Sequence, residues 1–244
     1  MKRLITLFAA VVFVGQAWAY DFKSGDLFYN YTSDSTVEIT YETKEIDYLG
    51  LTNVIIPETV INNGITYSVT SIGSDAFSFC GFTSITIPEG VTSIGLAAFS
   101  NCHNLQSINI PVSVTHIDAM AFLSCYSLKS IAIPPGITTI YPETFGGCEN
   151  LTSVTIPNTV TTIDRIAFIY CISLTSITIP EGVTSIEDGA FERCSKLKYV
   201  SIPKSVTSIG ENAFRGCKLK KVSISKSVSV GENAFRGSKV KYIE

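Results

Sequence analysis

The seven cysteines are the residues of this chain whose type and spacing most strongly suggest chemistry. Successive cysteines lie 22 or 23 residues apart, and each follows a phenylalanine by three positions. They are Cys80, Cys102, Cys125, Cys148, Cys171, Cys194 and Cys217. If equivalent residues stack about 5 Å apart with parallel Cβ vectors, disulfides are disfavoured, because their Cβ atoms must lie closer and point together. This spacing also cannot supply tetrahedral zinc ligands from one face. It therefore favours buried free thiols, with disulfides or a metal site as the alternatives.

The sequence contains few residues that could support catalysis. There are two histidines, His103 and His116, and neither has a partner in a recognisable nucleophile, acid-base or metal motif. The glycines are placed as turn residues and form no phosphate-binding loop. The sequence predicts a protein that is not an enzyme and that has no cofactor and no metal site.

An internal repeat sets the positions of these residues. A phenylalanine, usually preceded by alanine, returns every 21 to 23 residues. Its positions are Phe77, Phe99, Phe122, Phe145, Phe168, Phe191, Phe214 and Phe235. The full phrase is clear in LTSITIPEGVTSIEDGAFERC, from Leu174 to Cys194. A fixed period of about 23 residues predicts a solenoid, in which each coil buries its apolar side chains only by stacking on its neighbours.

Each coil is predicted to hold one short strand. Ile177-Thr178-Ile179 alternates inward and outward, and Pro180 removes a backbone donor and ends the strand. No unit has apolar residues at helical spacing over three turns. The predicted strand centres are Val54, Ile85, Ile108, Ile131, Val154, Ile177, Val200, Val222 and Ile243. These strands should form one parallel sheet along one side of the solenoid.

The repeat phrase L-x-x-I-x-I-P-x-x-V-T-x-I-x-x-x-A-F-x-x-C resembles the BspA-like, or Treponema-type, leucine-rich repeat. The resemblance extends from about Leu51 to Ile243, over about eight repeats. It implies a right-handed arc with the parallel sheet on its concave side, and an exported bacterial surface protein involved in adhesion or contact with host proteins. The last units depart from the phrase, since Ser225 replaces the proline and Ser238 the cysteine. They are expected to form a degenerate C-terminal cap.

The N-terminal part of the chain does not follow the repeat. Residues 1–19 have a basic start, an apolar run and an Ala-x-Ala end, which predicts a signal peptide. Residues 20–50 contain two alternating runs around a polar turn and predict a β-hairpin cap, followed by the solenoid at 51–244. The Asn63-Gly64 pair predicts a second tight hairpin. No later apolar run is long enough to span a membrane, so we expect an exported protein that is extracellular, surface-associated or periplasmic.

Charge is distributed unevenly along the chain. The 18 basic and 21 acidic residues give a net charge of −3, which argues against nucleic-acid binding, and 45% hydrophobic residues exclude disorder. Residues 20–191 hold 4 basic and 17 acidic residues, whereas 192–244 hold 12 and 4. One end is therefore acidic (4 − 17 = −13) and the other basic (12 − 4 = +8).

The basic end carries the first candidate binding surface. Serines stand just before the strand centres of the middle coils, and basic and aromatic residues replace them in the last three. The candidate residues are Lys198, Tyr199, Lys220, Lys221, Lys241 and Tyr242. Such a strip would bind an acidic protein or glycan, although charged residues that solubilise a terminal cap would give the same pattern.

The opposite side carries a second candidate, an apolar patch at places that are polar in other coils. Its residues are Met120, Leu123, Tyr126, Ile166, Ile169, Tyr170 and Ile172. A contiguous apolar patch marks a partner surface, while packing of the loops on each other is the alternative. The sequence thus predicts a non-catalytic protein- or glycan-binding module. The rival hypothesis is a structural component that assembles through contacts between acidic and basic ends.

Overall fold

A computed structural model describes residues 20–41, 51–220 and 222–243. The predicted signal peptide lies outside these residues. Within them the chain consists of 21 strands joined by turns, with no helix. Accordingly, this part of the chain contains no helix that is long and apolar enough to cross a membrane. The repeats form a solenoid of coils of about 23 residues, as predicted.

One strand of each coil lies where the sequence predicts it. These first strands are β4 (Asn53–Ile55), β7 (Ser84–Thr86), β9 (Ser107–Asn109), β11 (Ser130–Ala132), β13 (Ser153–Thr155), β15 (Ser176–Thr178), β17 (Tyr199–Ser201), β19 (Val222–Ser225) and β21 (Val240–Ile243). They pair in parallel within four short sheets, β4-β7-β9, β11-β13, β15-β17 and β19-β21, with Ile131 beside Val154 and Ile177 beside Val200. The single sheet that the sequence predicts is therefore divided, and we call the four parts together the first sheet. Their central residues point into the core, and the flanking residues of the middle coils are exposed.

The register of the last strand differs from the prediction. Val240, not Ile243, lies beside Val222, and Tyr242 lies beside Ile224. The cause is the shortened terminal coil: Val200 follows Cys194 by six residues, whereas Val240 follows Ser238 by two. The strand therefore begins earlier, and counting forward from the preceding coils misplaces it.

Each coil also contains a second strand that the sequence analysis missed. These two-residue strands are β8 (Ser93–Ile94), β10 (His116–Ile117), β12 (Thr139–Ile140), β14 (Thr162–Ile163), β16 (Ser185–Ile186), β18 (Ser208–Ile209) and β20 (Ser229–Val230). β8 and β10 pair in parallel in one sheet, and the strands from β12 to β20 pair in parallel in another; we call the two together the second sheet. Two residues are too few to show an alternating pattern within one coil, so the signal is visible only when the coils are aligned.

The N-terminal segment extends this second sheet. The strands are β1 (Phe22–Ser24), β2 (Leu27–Tyr31) and β3 (Thr36–Thr40), and β2 and β3 form the predicted hairpin. β3 runs parallel to β6 (Ile65–Ile72), and its Val37 and Ile39 are fully buried. The hairpin thus covers the first coil, as the cap prediction requires.

The second predicted hairpin is also present. β5 (Thr59–Asn62) pairs antiparallel with β6 across a two-residue turn. Both turn residues, Asn63 and Gly64, have positive φ angles of 50° and 78°. This conformation favours Asn-Gly, because glycine tolerates it and asparagine adopts it more readily than most residues.

Phenylalanine rings form the centre of the core. Seven successive pairs, from Phe77 to Phe235, stack with centroids 5.1 to 5.5 Å apart and planes within 14° of parallel. This distance is close to the spacing of about 4.8 Å between paired strands. The stack therefore has the same period as the sheets beside it.

The seven cysteines are free and buried, in a column next to the rings. From Cys102 onward each thiol lies 3.0 to 3.3 Å from the carbonyl oxygen of a phenylalanine in the preceding coil, as for Cys148 Sγ and Phe122 O. Each thiol is placed to donate a weak hydrogen bond. Burial raises the pKa of Cys125, Cys148 and Cys194 well above the usual value.

We predict that the protein loses stability at alkaline pH because of this column. Below the unfolded-state thiol pKa of about 8.5, the thiols are protonated in both the folded and the unfolded protein. The unfolding free energy then does not depend on their ionisation. Above it the unfolded thiols ionise while the six buried thiols from Cys102 to Cys217 stay protonated, because their folded-state pKa is raised. The unfolding free energy therefore decreases by about 1.4 kcal/mol per pH unit for each of these thiols. Urea denaturation followed by circular dichroism from about pH 7.5 to 10 measures this slope.

Cys148→Ala is the matched control, since it removes one titrating group and should reduce the slope by about 1.4 kcal/mol per pH unit. A stability that stays constant above pH 8.5, or a slope unaffected by this substitution, would show that the thiols do not titrate on unfolding.

We also predict that deleting residues 20–41 causes association. The deletion leaves the β6 backbone unpaired on the side that β3 occupies and exposes apolar side chains beneath the hairpin. Light scattering against concentration should show oligomers, whereas Asp34→Ala on the exposed hairpin turn should not. A monomeric deletion variant with unaltered melting would mean that the solenoid needs no cover.

Candidate binding surfaces

The outer face of the first sheet presents small hydroxyl side chains in its middle coils. Ser107, Ser130, Ser153 and Ser176 are exposed. They occupy one column, meaning the equivalent place in successive coils. Side chains alternate between the two faces of a strand, so these positions face solvent because the strand centres beside them point inward. The serine column is therefore uncharged until the last coils are reached.

At Tyr199 the serine column ends. Tyr199 pairs with Ser176 and is 54% exposed. Lys220 Nζ lies 5.7 Å from the centroid of the Tyr199 ring, within the range of a cation–π contact. The Lys220 amide donates to the Lys198 carbonyl at 3.0 Å, so the two exposed lysines occupy neighbouring coils of one column. We call Lys198, Tyr199 and Lys220 the cationic strip.

The remaining predicted members of this surface have different outcomes. Lys221 lies outside the described residues. Tyr242 pairs with Ile224 and so does not share the column of Tyr199, while Lys241 is exposed beside Ser223. Sequence reasoning missed Lys239, which is exposed and directly precedes Val240. The short distance from Ser238 to Val240 is the signal that could have identified it.

The lysines of the strip have no acidic partner within salt-bridge distance. In the described part of the chain, ion pairs occur only around Glu192, which lies 3.8 Å from Arg193 and 3.4 Å from Arg215. The ammonium groups of Lys198 and Lys220 therefore form no ion pair with a carboxylate among the described residues. Their field remains available to an anionic ligand.

The predicted apolar patch is partly explained by local packing. Leu123 and Ile169 approach each other over Gly146, where an added Cβ would lie 3.2 and 3.3 Å from their side-chain tips. Ile166 leans over Gly189 in the same way, with its Cγ2 2.8 Å from such a Cβ. Apolar side chains from adjacent coils thus occupy the space that a side chain at Gly146 or Gly189 would need. Met120 and Ile172 are likewise half-buried.

The two tyrosines of the patch are exposed and face charged or polar neighbours. Tyr126 stacks on His103 with a centroid distance of 4.5 Å. The Arg193 guanidinium lies 5.3 Å from the Tyr170 ring. His116 contacts Tyr141 edge-on. Among the described residues, no three His, Cys, Asp or Glu side chains are grouped to hold a metal ion.

Two left-handed backbone positions recur along the turns, a feature that sequence reasoning missed. Positive φ angles occur directly before the Ala-Phe or Thr-Phe pair and directly before the cysteine place. The first set is Asp75, Ala97, Met120, Glu143, Ile166, Gly189, Asn212 and Asn233, and the second is Phe79, Asn101, Ser124, Gly147, Tyr170, Arg193, Gly216 and Gly237. The repeated Gly, Asn and Asp at these places were the available signal.

The repeat itself has a known counterpart. The BspA type leucine-rich repeat region, in six copies, matches residues 51–175 and 161–244. This covers more than half of the chain. The chain belongs to the BspA-type leucine-rich repeat family.

Solved structures of this repeat type resemble the chain over most of its length. A leucine-rich repeat protein from Bacteroides ovatus is 33% identical, with a TM-score of 0.69 over 89% of this chain. This chain spans 63% of that protein's length. The leucine-rich repeat protein of Treponema pallidum is 27% identical, with a TM-score of 0.66 over 89% of this chain and 88% of its own. No curated protein matches the chain. Proteins of this family are typically non-catalytic.

We predict that the cationic strip contributes little to folding. Tyr199→Ser and Lys220→Thr restore residue types found in the same columns of preceding coils, at Ser176 and Thr175. Because these sites are exposed, each change should alter the unfolding free energy by less than about 0.5 kcal/mol in urea titrations. A loss of several kcal/mol would mean that the strip is part of the cap and not a free surface.

Proposed function

We propose that this chain is an exported, non-catalytic binding module that holds an acidic protein or an anionic glycan on its cationic strip. The observation that carries the proposal is the exposed Tyr199 ring with the Lys220 ammonium beside it, next to a second lysine with no described acidic partner. An amphipathic ring supplies contact area at low entropic cost, and unpaired cations attract anionic groups.

Contrast within the same sheet supports this assignment. In the middle coils the column of Tyr199 holds serines, whose hydroxyl groups give little contact area and no charge. Aromatic and cationic residues are the types that dominate binding energy at interfaces. The change in side-chain chemistry at coil 199–201 therefore separates a binding surface from a passive one.

The proposal of export is supported by residues 1–19, whose basic start, apolar run and Ala-x-Ala end are typical of a signal peptide. The family resemblance favours a role in adhesion at a bacterial surface. An exported protein with a net-positive end would meet acidic glycans and acidic host proteins there. Attachment to the cell, release and periplasmic retention are all compatible with these features.

The test is direct binding of the mature chain to heparin and to poly-L-glutamate, measured by biolayer interferometry. Affinity should decrease with salt, because exposed charges are screened over about 8 to 10 Å at physiological ionic strength. Combining Lys198→Thr, Tyr199→Ser and Lys220→Thr should weaken binding at least about tenfold, equivalent to about 1.4 kcal/mol.

Lys129→Thr is the matched control, because Lys129 is exposed in the same column three coils before Lys198. It removes one lysine charge from the acidic half and should leave affinity unchanged. Equal binding by the triple variant and the native chain would place the ligand elsewhere.

The charge asymmetry favours a second candidate, a structural component that assembles end to end. Its acidic and basic parts, net −13 and +8 by sequence, would attract each other in different molecules. Sedimentation of the pure protein at low salt separates the two hypotheses. Salt-sensitive self-association without binding to either polyanion would favour assembly.

A further inference from the structure

A groove crosses the turns between the second strand of one coil and the first strand of the next. It has a volume of about 520 Å³ and an apolar lining made by Met120, Pro142, Ile166 and Gly189. Asn212 lines the far end, so the groove spans five successive coils. Four steps of about 4.8 Å give a length of roughly 19 Å, which about six residues of extended peptide would fill.

Ile166 occupies this groove at a conformational cost. Its φ is 50°, in the left-handed region that is a genuine outlier for a β-branched residue. The equivalent places of later coils hold Gly189 and Asn212, which adopt this conformation more easily. Isoleucine is therefore not needed to form the turn, and its half-buried side chain remains partly available at the groove surface.

The neighbouring glycine makes room for this side chain. A Cβ on Gly189 would lie 2.8 Å from Ile166 Cγ2, so any larger residue would displace Ile166. The pair places an apolar side chain in the middle of the groove.

Carboxylates surround the apolar lining. Glu143, Asp188 and Glu211 line the groove and form no ion pair among the described residues, while Glu192 is paired with Arg215 at 3.4 Å. Arg165 is the one cationic residue among the lining residues. Three unpaired carboxylates against one guanidinium leave the groove acidic. This charge favours a cationic occupant and repels nucleic acids and acidic glycans.

Backbone groups at these left-handed positions are already satisfied. The Ile166 amide donates to the Asp188 carbonyl at 2.9 Å, and the Gly189 amide donates to the Glu211 carbonyl at 2.8 Å. A bound chain therefore cannot be held by strand addition to these amides. Side-chain contacts must hold it.

We propose that this groove binds an extended basic segment of another protein, about six residues long, with an apolar side chain that contacts Ile166. Lysine or arginine residues of the segment pair with Glu143, Asp188 and Glu211. The site is separate from the cationic strip, and it selects the opposite charge.

The test uses a fluorescein-labelled hexapeptide of sequence KKLKKL, with KKSKKS and EELEEL for comparison, in fluorescence anisotropy. The first peptide should bind with a Kd below about 1 mM, the serine peptide at least about tenfold more weakly, and the acidic peptide not at all. Ile166→Asn should weaken KKLKKL binding at least about tenfold. Because asparagine accepts the left-handed conformation, its melting temperature should be unchanged or higher.

Leu96→Asn is the matched control, since Leu96 is an exposed apolar residue on an earlier turn outside the groove. It should leave affinity unchanged. Glu211→Lys, at an exposed site, provides a second variant that should reduce binding without depending on Ile166.

Three outcomes would overturn the proposal. One is equal affinity for KKLKKL and KKSKKS, which would show charge attraction alone. Another is unchanged KKLKKL affinity in both Ile166→Asn and Glu211→Lys. The third is self-association of the protein that the peptide displaces, which would identify a second copy of the chain as the occupant.

Discussion

The distance from one coil to the next governs every other feature of this protein. Paired strands repeat at about 4.8 Å, and the phenylalanine rings stack at 5.1 to 5.5 Å, so rings and backbone share one period. The same spacing places each thiol beside a carbonyl oxygen of the coil before, as Cys148 beside Phe122. A column of cysteines is thus compatible with an exported protein without cross-links, because stacking brings equivalent residues near each other but not into disulfide geometry.

Uniform stacking leaves only the outer positions free to differ between coils. A residue that breaks the core period affects both neighbouring coils, whereas an outward residue contacts little besides solvent and adjacent columns. Chemical variation therefore collects on the surface, as serine gives way to Tyr199 on the first sheet and as isoleucine appears at position 166 on the turns. The two surfaces carry opposite charge, which argues on electrostatic grounds against one ligand occupying both.

Sequence periodicity predicted the strand centres from Val54 to Val200, the Asn63-Gly64 turn and the hairpin over the first coil, because each depends on local pattern repeated many times. It misplaced Tyr242, since the coil that ends in β21 is shortened and the register is set by pairing with β19. It missed the second strands and the left-handed turns, whose formation depends on hydrogen bonds between coils, such as Ile166 N to Asp188 O. The sequence placed Lys198, Tyr199 and Lys220 in neighbouring coils because the period of 23 residues continues as far as Cys217.

The coil from 163 to 171 places Ile166 and Tyr170 at its two left-handed positions, where other coils use residues as different as Phe79, Glu143, Gly189 and Asn212. Non-glycine residues in this region cost of order 1 to 3 kcal/mol each when their side chains gain nothing in return. Ile166 recovers part of this cost by packing over Gly189, and Tyr170 by its contact with Arg193. Both contacts lie at the surface and leave side-chain area uncovered. Since Ile166 is the one β-branched residue among the described left-handed positions, the turn itself does not explain its conformational cost, and recognition in the groove is the role that we propose for it.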